Sequence, residues 1–142
     1  MLCDVNVLVY AYRTEAPDHK RYGGWLREAI GSDQAYAVSE LVLSRFLRIV
    51  THPRGMTTPA PIASALAFTE VLRSQPNALP VAPGARHWSI FERLCRDAGA
   101  TGNRVADAYL AALAIEHGAE LVTADRGFAR YPGLIWRHPL AA

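Results

Sequence analysis

The fold is decided within the first residues of the chain. Residues 2–12 read LCDVNVLVYAY, a stretch that is apolar and β-branched enough to resemble one long strand. Two polar residues, Asp4 and Asn6, divide it. We therefore predict a minimal strand before Asp4 and a helix after it, with Asn6 capping the helix by accepting a backbone N–H.

The order of strand followed by helix recurs along the rest of the chain. Further strands are predicted at 34–38, 79–81, 121–123 and 134–136, and further helices at 18–31, 39–51, 59–74, 85–98 and 104–117. Strands separated by helices indicate β-α-β units, a mainly parallel sheet and helices on both faces. With 142 residues, we predict one α/β domain spanning residues 1–142. These spacings do not give the order of the strands.

The bulk composition excludes several classes of protein. A net charge of +2 does not by itself indicate a nucleic-acid-binding protein. No apolar run approaches the roughly 18 residues that a membrane span requires, and no basic leader precedes the first strand. Cys3 and Cys95 lack the CxxC spacing, which predicts free thiols in a reducing compartment. We expect a cytoplasmic protein with no membrane segment.

Four carboxylates stand where an apolar run gives way to a loop or a helix: Asp4, Glu40, Asp107 and Asp125. Three of them follow the first, second and fourth strands, whose carboxyl ends meet at the edge where open parallel sheets bind ligands. Each has a structural explanation, as a helix cap, a first-turn acid or a turn residue. Asp107 is the hardest to explain in this way, because it lies in an otherwise apolar helix.

Together these acids predict a metal site. Carboxylates within about 4–6 Å raise one another's pKa and destabilise the fold unless a cation compensates. Oxygen ligands without histidine or cysteine favour Mg²⁺ or Mn²⁺ over Zn²⁺, and the five histidines show no metal-binding spacing. We expect Asn6, Ser39 and Thr123 to support the site or to contact a substrate phosphate.

Blocks of this sequence resemble the PIN-domain ribonucleases. They are residues 4–10 (DVNVLVY), 39–43 (SELVL), 107–114 (DAYLAALA) and 121–128 (LVTADRGF). Their order and spacing are most similar to the VapC-type toxins of bacterial type II toxin–antitoxin systems. Val5 and Ala124 depart from the commonest pattern, but neither departure removes a carboxylate.

The resemblance implies a PIN-like three-layer α/β/α sandwich with a mainly parallel sheet of about five short strands. It implies Asp4, Glu40, Asp107 and Asp125 around Mg²⁺ or Mn²⁺, with Asn6 and Thr123 as supporting residues. It also implies cleavage of RNA and two protein interfaces. One forms a homodimer, and the other binds a cognate antitoxin that covers the active-site groove.

The mechanism we expect is metal-assisted hydrolysis of an RNA phosphodiester to 5′-phosphate and 3′-hydroxyl ends. Asp4, Asp107 and Asp125 would hold the metal directly or through water, and Glu40 would help to hold it or orient the attacking water. One or two ions are compatible with the pattern.

Arginines near the acidic edge are candidates for phosphate contacts, among them Arg45 and Arg130. Arg104 and Arg126 rank first, because each lies within three residues of a predicted ligand.

Two other functions fit parts of the pattern. A non-catalytic module that binds RNA or a partner protein would need no metal chemistry. An aspartyl-phosphate phosphotransferase also begins with an aspartate after the first strand, but it needs a late cation, usually lysine. The sole lysine here is Lys20, on an early helix.

Overall fold

The computed structural model describes residues 1–54 and 58–141, which form a five-stranded parallel sheet. The strands are β1 (Leu2–Cys3), β2 (Tyr36–Ser39), β3 (Ala78–Val81), β4 (Leu121–Val122) and β5 (Trp136–Arg137). Their order across the sheet is β3-β2-β1-β4-β5, and every neighbouring pair is parallel. The first strand of the chain therefore lies at the centre of the sheet.

In the described part of the chain, six α-helices and one short 3-10 helix connect these strands. The α-helices are α1 (Val5–Tyr12), α2 (His19–Gly31), α3 (Glu40–Thr51), α4 (Ile62–Arg73), α5 (His87–Ala98) and α6 (Asn103–Glu116), and the 3-10 helix spans Arg126–Arg130. Helix α1 packs against α2 and α3, α3 packs against α4, and α5 packs against α6. Within the described residues, no helix is long and apolar enough to cross a lipid bilayer.

The order of the strands places these helices in two layers. From β1 to β2 and on to β3, the chain moves across the sheet in one direction, and α1–α4 lie in these connections. From β3 the chain crosses to β4 in the opposite direction, and α5 and α6 lie in that connection. Crossovers between parallel strands are almost always right-handed, so steps in opposite directions put their helices on opposite faces of the sheet. The predicted three-layer α/β/α architecture is confirmed.

The core lies between the central strands and helices α1 and α6. Residues 110–114 of α6 are all buried, and Leu121 and Val122 of β4 are fully buried beside them. A helix that is apolar all round is expected where it is enclosed by other elements. Because α6 carries Asp107 one turn before this buried run, the position of that carboxylate is fixed by the core.

Two local predictions were wrong. Asn6 does not cap α1; the N-cap is Asp4, whose Oδ1 accepts a hydrogen bond of 2.7 Å from the backbone N–H of Val5. The last strand begins later than predicted, because the chain is still turning at Gly133, where φ is +87°, and at Leu134, whose N–H donates to the carbonyl of Tyr131.

Cys3 and Cys95 are free thiols, as predicted. Burial raises the pKa of the Cys3 thiol to about 12, so this thiol stays protonated at neutral pH.

Candidate active site

The candidate site lies at the carboxyl ends of β1 and β4, where the strand order reverses direction. The connection after β1 leads to one side of the sheet and the connection after β4 leads to the other, which leaves a crevice between them. Leu2 pairs with Leu121 and Cys3 with Val122, so Asp4 and Thr123 leave the sheet side by side. Two residues that are 119 positions apart in the sequence thereby come into contact.

Asp4 is held firmly at the bottom of this crevice. Only 7% of the residue is exposed. While Oδ1 caps α1, Oδ2 accepts a hydrogen bond of 2.8 Å from the Thr123 hydroxyl and one of 3.3 Å from the Asn6 amide. Burial raises the pKa of Asp4 above its ordinary value, the hydrogen bonds from Thr123 and Val5 oppose that rise, and the charge of Asp125 adds to it.

Asn6 and Thr123 tie the start of α1 to the loop after β4. The Asn6 amide donates to the Thr123 hydroxyl at 3.3 Å, and its Oδ1 accepts the N–H of Ala124 at 3.2 Å. The Thr123 hydroxyl, which is fully buried, also accepts the N–H of Asp125 at 3.0 Å. The structure thus places both residues beside Asp4, where hydrogen bonds fix the direction of its carboxylate.

Asp125 caps the 3-10 helix that follows β4. Its Oδ1 accepts the N–H of Gly127 at 2.8 Å, and the residue is exposed. A Cβ atom at position 127 would lie 2.9 Å from Asp125 Oδ1 and 3.1 Å from Arg130 Nη2. Glycine at this position therefore lets a carboxylate and a guanidinium group approach the same point.

Asp107 lies on α6, in the opposite layer of helices from α1. It lies in the second turn of α6 and is half-buried. Burial raises the pKa of its carboxyl group, and the charges of Asp4 and Asp125 raise it further, whereas Arg130 and Arg45 lower it. These mutual effects show that the three aspartates share one electrostatic environment.

Glu40 and Ser39 lie outside this group of aspartates. The Glu40 side chain is 89% exposed, and its Oε2 lies 3.9 Å from Arg73 Nη2. Glu40 lines a groove of about 470 Å³ together with Arg73 and Pro80, towards the β3 edge. Ser39 is buried at the N-cap of α3, but its hydroxyl makes no capping hydrogen bond. Three of the four predicted acids, Asp4, Asp107 and Asp125, are therefore linked by electrostatic effects on pKa, and Glu40 is not among them.

The donor atoms suit a hard divalent cation held partly through water. Within residues 1–54 and 58–141, no group of three histidine, cysteine, aspartate or glutamate side chains is arranged to hold a metal ion on its own. Mg²⁺ commonly keeps several waters and takes only one or two protein carboxylates, so Asp4, Asp107 and Asp125 fit such an ion without forming a closed cage. Their mutual repulsion is also what a cation would relieve.

The arginines whose charge lowers the pKa of Asp107 differ from the two ranked first from the sequence. Arg104 and Arg126 are both exposed, and the charge of Arg126 acts on His138 in the C-terminal segment. Arg45 and Arg130 are the arginines that act on Asp107. A pattern in the sequence points to Arg45. This residue lies between the buried residues Val42 and Phe46 on α3, so it borders the buried face of that helix.

Comparison with known proteins identifies the family. Residues 1–134 match the sequence model of the PIN domain. VapC ribonuclease Mb2897 of Mycobacterium bovis is 45% identical over 141 residues, which cover 99% of this chain and 96% of that protein. Ribonuclease VapC25 of Mycobacterium tuberculosis is 41% identical over 130 residues, 92% of each chain.

Solved structures share the fold at lower sequence identity. The crystal structure of VapBC2 from Rickettsia felis, bound to a DNA fragment from its promoter, contains a chain with a TM-score of 0.68 and 22% identity, covering 96% of both chains. A toxin–antitoxin complex from Klebsiella pneumoniae contains one with a TM-score of 0.57 and 17% identity, covering 99% of this chain and 98% of that one. Together with the match along nearly the whole sequence, these findings show that the chain belongs to the PIN-domain family and, within it, to the VapC group.

Proposed function

We propose that this protein is an Mg²⁺- or Mn²⁺-dependent endoribonuclease that acts as the toxin of a toxin–antitoxin pair. One observation supports the proposal: burial raises the pKa of both Asp4 and Asp107, the charge of Asp125 raises both further, and the charge of Asp4 adds to the rise at Asp107. Two relatives that align with nearly the whole chain are named ribonucleases, which supports RNA as the substrate.

The three aspartates would hold the cation, and the hydrogen bonds around Asp4 would set its position. Oδ1 of Asp4 is committed to the N-terminus of α1, so Oδ2, fixed by Thr123 and Asn6, is the oxygen available at the crevice. Asp107, on α6, and Asp125, in the loop after β4, would supply the other carboxylates. A divalent cation at this position would lower the pKa of a bound water and screen negative charge on the phosphate.

Hydrolysis forms a bond between the water oxygen and phosphorus and breaks the bond from phosphorus to the 3′ oxygen. The water loses one proton, and the departing 3′ oxygen gains one. The products are a 3′-hydroxyl on one fragment and a 5′-phosphate on the other.

Glu40 remains the predicted fourth acid, which would have to leave Arg73 to help hold the ion or orient the water. Arg104 and Arg126 remain predicted phosphate contacts on the exposed rim.

A purified sample incubated with total RNA tests the activity. We expect cleavage in Mn²⁺ or Mg²⁺, none in EDTA, and new ends that carry 5′-phosphate when mapped by ligation. The variant Asp107→Asn should be inactive but folded. Asp97→Asn is the matched control, because Asp97 lies on α5 and pairs with Arg93 at 4.0 Å. Equal cleavage by the wild type and the Asp107→Asn variant would refute the proposal.

The rival function is a module that binds RNA or a partner without cleaving it. The incomplete carboxylate group around the crevice is the observation that favours it, since no three metal-binding side chains are arranged as a ready site among the described residues. The same assay separates the two functions, because a binding module would retain RNA without generating new 5′ ends at any metal concentration.

The proposed partners are a cognate antitoxin and a second copy of the chain. A matched solved structure is a toxin–antitoxin complex, which supports the antitoxin. Growth arrest on expression of the chain, relieved by co-expression of the antitoxin, tests that pairing. Light scattering tests the homodimer, and a monomer mass at every concentration would refute it.

A further inference from the structure

We propose that Tyr131 is a positioning residue for the metal centre, because its hydroxyl group couples the position of Asp125 to that of Asp107. This inference rests on the proposed function, in which both aspartates hold the divalent cation. Tyr131 is buried, and its hydroxyl donates to the backbone carbonyl of Arg104 at 2.9 Å. Its role would therefore be indirect, through the two elements that carry the aspartates.

Tyr131 and Asp125 cap the two ends of one short helix. Asp125 is the N-cap of the 3-10 helix Arg126–Arg130, where its Oδ1 accepts the N–H of Gly127 at 2.8 Å. Tyr131 is the C-cap, and its N–H donates to the carbonyl of Phe128 at 3.2 Å. Phe128 is buried, and the centre of its ring lies 5.8 Å from that of Tyr131. This segment is therefore a compact unit, so a shift at one cap is passed to the other.

The acceptor of the Tyr131 hydroxyl lies one helical turn before Asp107. Arg104 belongs to the first turn of α6, and Asp107 follows it by three residues, about 4.5 Å along the helix axis. Residues three apart are neighbours on the surface of a helix. The hydroxyl thus holds α6 close to the point from which the Asp107 side chain leaves.

No side chain caps the start of α6 in the part of the chain that the structure describes. Its N-cap is Gly102, which has no side chain to accept the first N–H groups, and its first turn contains no acidic residue. Serine, threonine, aspartate or asparagine commonly fixes a helix at this position. The N–H of Arg104 donates to the carbonyl of Thr101 at 3.1 Å, a bond that lies within the turn itself. Tyr131 therefore supplies, from outside the helix, a side-chain hydrogen bond that this turn does not supply for itself.

Tyr36 provides a comparison within the same molecule. It is also buried, and its hydroxyl donates to the carbonyl of Leu72 in α4 at 2.6 Å. A buried tyrosine hydroxyl needs an acceptor in any protein, so such a bond does not by itself mark a functional residue. The difference lies in what the two bonds join. Leu72 lies in a helix that carries none of the proposed ligands, whereas Tyr131 links the helix of Asp107 to the turn that begins at Asp125.

Binding of Mn²⁺ in the absence of RNA, measured by electron paramagnetic resonance, tests this role. Tyr131→Phe removes the hydroxyl and keeps the ring, so the bond to α6 is lost without a large cavity. We expect the Kd for Mn²⁺ to rise about tenfold, the lower end of the range for residues that orient metal ligands from outside the coordination shell. Tyr36→Phe is the matched control, because it loses an equivalent buried bond away from the aspartates. Both variants should lower the midpoint of urea denaturation, but the Kd of Tyr36→Phe for Mn²⁺ should equal that of the wild type.

The kinetics of RNA cleavage supply a second measurement. In Tyr131→Phe the Mn²⁺ concentration that gives half-maximal cleavage should rise about tenfold, as the Kd does, and excess Mn²⁺ should restore most of kcat. A loss of stability alone would instead reduce the folded fraction of both tyrosine variants alike.

The positioning role would be overturned if Tyr131→Phe bound Mn²⁺ as tightly as the wild type. It would also be overturned if Tyr36→Phe lost as much affinity for Mn²⁺. A Tyr131→Phe protein that did not fold would count against it as well, since a hydroxyl on which the whole fold depends is a structural group.

The positioning role and the ribonuclease function can fail separately. A wild-type protein that never cleaves RNA, yet binds Mn²⁺ with an affinity that depends on Tyr131, would refute the ribonuclease and leave the positioning role standing. A wild-type protein that cleaves RNA, while Tyr131→Phe keeps its full affinity for Mn²⁺, would do the reverse.

Discussion

The central strand β1 and its neighbour β2 are each followed directly by an acid, but the two acids have different surroundings. Asp4, after β1, is buried and held by three hydrogen bonds. Glu40, after β2, is exposed, and its Oε2 lies 3.9 Å from Arg73 Nη2. An acid directly after a strand is therefore a fixed carboxylate at β1, where the strand order reverses, and a solvated carboxylate at β2, one strand further out. The position of the strand in the sheet decides which of the two acids is preorganised.

The largest effect on RNA cleavage is expected from Asp4→Asn. Asparagine fills the same space but cannot supply a second anionic oxygen, so cleavage should fall at least about 100-fold, beyond the 10–100-fold typical of residues that only orient a ligand. Initial rates in Mn²⁺ measure this, and circular dichroism shows whether the fold is kept. A variant that cleaves normally would remove the central site from the mechanism.

Thr123→Val should have the next largest effect. The substitution removes the hydroxyl that donates to Asp4 Oδ2 at 2.8 Å and accepts from Asp125 N at 3.0 Å. We expect cleavage to fall about 10–100-fold and the free energy of unfolding to fall by about 1–3 kcal/mol, because the buried Asp4 Oδ2 loses a donor and the part-buried N–H of Asp125 loses its acceptor. Initial cleavage rates and urea denaturation measure the two effects.

Thr69→Val is the matched control for the Thr123 variant. Thr69 is also buried, and its hydroxyl donates to the carbonyl of Leu66 at 2.8 Å, within α4 and away from the acids. It should leave cleavage unchanged. Equal losses of activity in the two variants would mean that the Thr123 effect reflects stability alone.

Glu40→Gln should have a smaller effect on cleavage, about tenfold or less, if Glu40 stays paired with Arg73 during turnover. The free energy of unfolding, measured by chemical denaturation, should change by at most about 0.5 kcal/mol, since exposed ion pairs contribute little. Arg73→Gln, which frees Glu40, separates the alternatives. If Glu40 moves in to serve as the fourth ligand, Glu40→Gln will lose as much activity as Asp4→Asn, and Arg73→Gln will keep or gain activity.

The smallest effect on cleavage is expected from Glu116→Gln, which should act on stability alone. Glu116, at the end of α6, accepts the N–H groups of Gly84 and Arg86 at 2.8 and 3.0 Å, and these bonds hold the pKa of its carboxyl group below the ordinary value. Loss of the charge should cost about 1–3 kcal/mol of unfolding free energy near pH 7.

The pH dependence of that loss has a definite sign. A carboxyl group whose pKa is lowered by folding contributes fully above the pKa of the unfolded chain, about 4.3 for glutamate. Its contribution disappears as the pH falls through the lower pKa of the folded state. Melting curves of wild type and Glu116→Gln should therefore differ most above about pH 4.5 and converge in stronger acid. A constant difference at all pH values would contradict this assignment.

The sequence predicted the parts of the site that local pattern controls. Asp4 and Asp125 follow apolar strands, and Asp107 is the rare polar residue in an apolar helix, so their positions follow from the alternation of strands and helices. Parallel pairing then brings β1 and β4 together, although only the structure shows that these two strands are neighbours. The α/β architecture was predictable for the same reason.

What the sequence could not predict depends on contacts between distant residues. Glu40 faces Arg73 because α4 returns beside α3, an arrangement with no local signature. The cap of α1 was assigned to Asn6, but Asp4 is the capping residue, because the Asn6 side chain is engaged by Thr123 and Ala124, which arrive from the far end of the chain. Arg104 and Arg126 were ranked first on nearness in sequence to an acid, whereas the charges of Arg45 and Arg130 act on Asp107 across longer stretches of the chain.

The hydrogen bond between Asp4 and Thr123 also determines when the Asp4 carboxylate becomes fixed during synthesis. Asp4 and Asn6 are made first, but Thr123 follows Asp4 by 119 residues, after α1–α6. A ribosome-bound chain that ends before β4 lacks both Thr123 and Asp125, so the Asp4 carboxylate is without its hydroxyl donor and one of the three proposed ligands is missing. Under the proposed function, a growing chain would complete its centre only after residue 125 of 142.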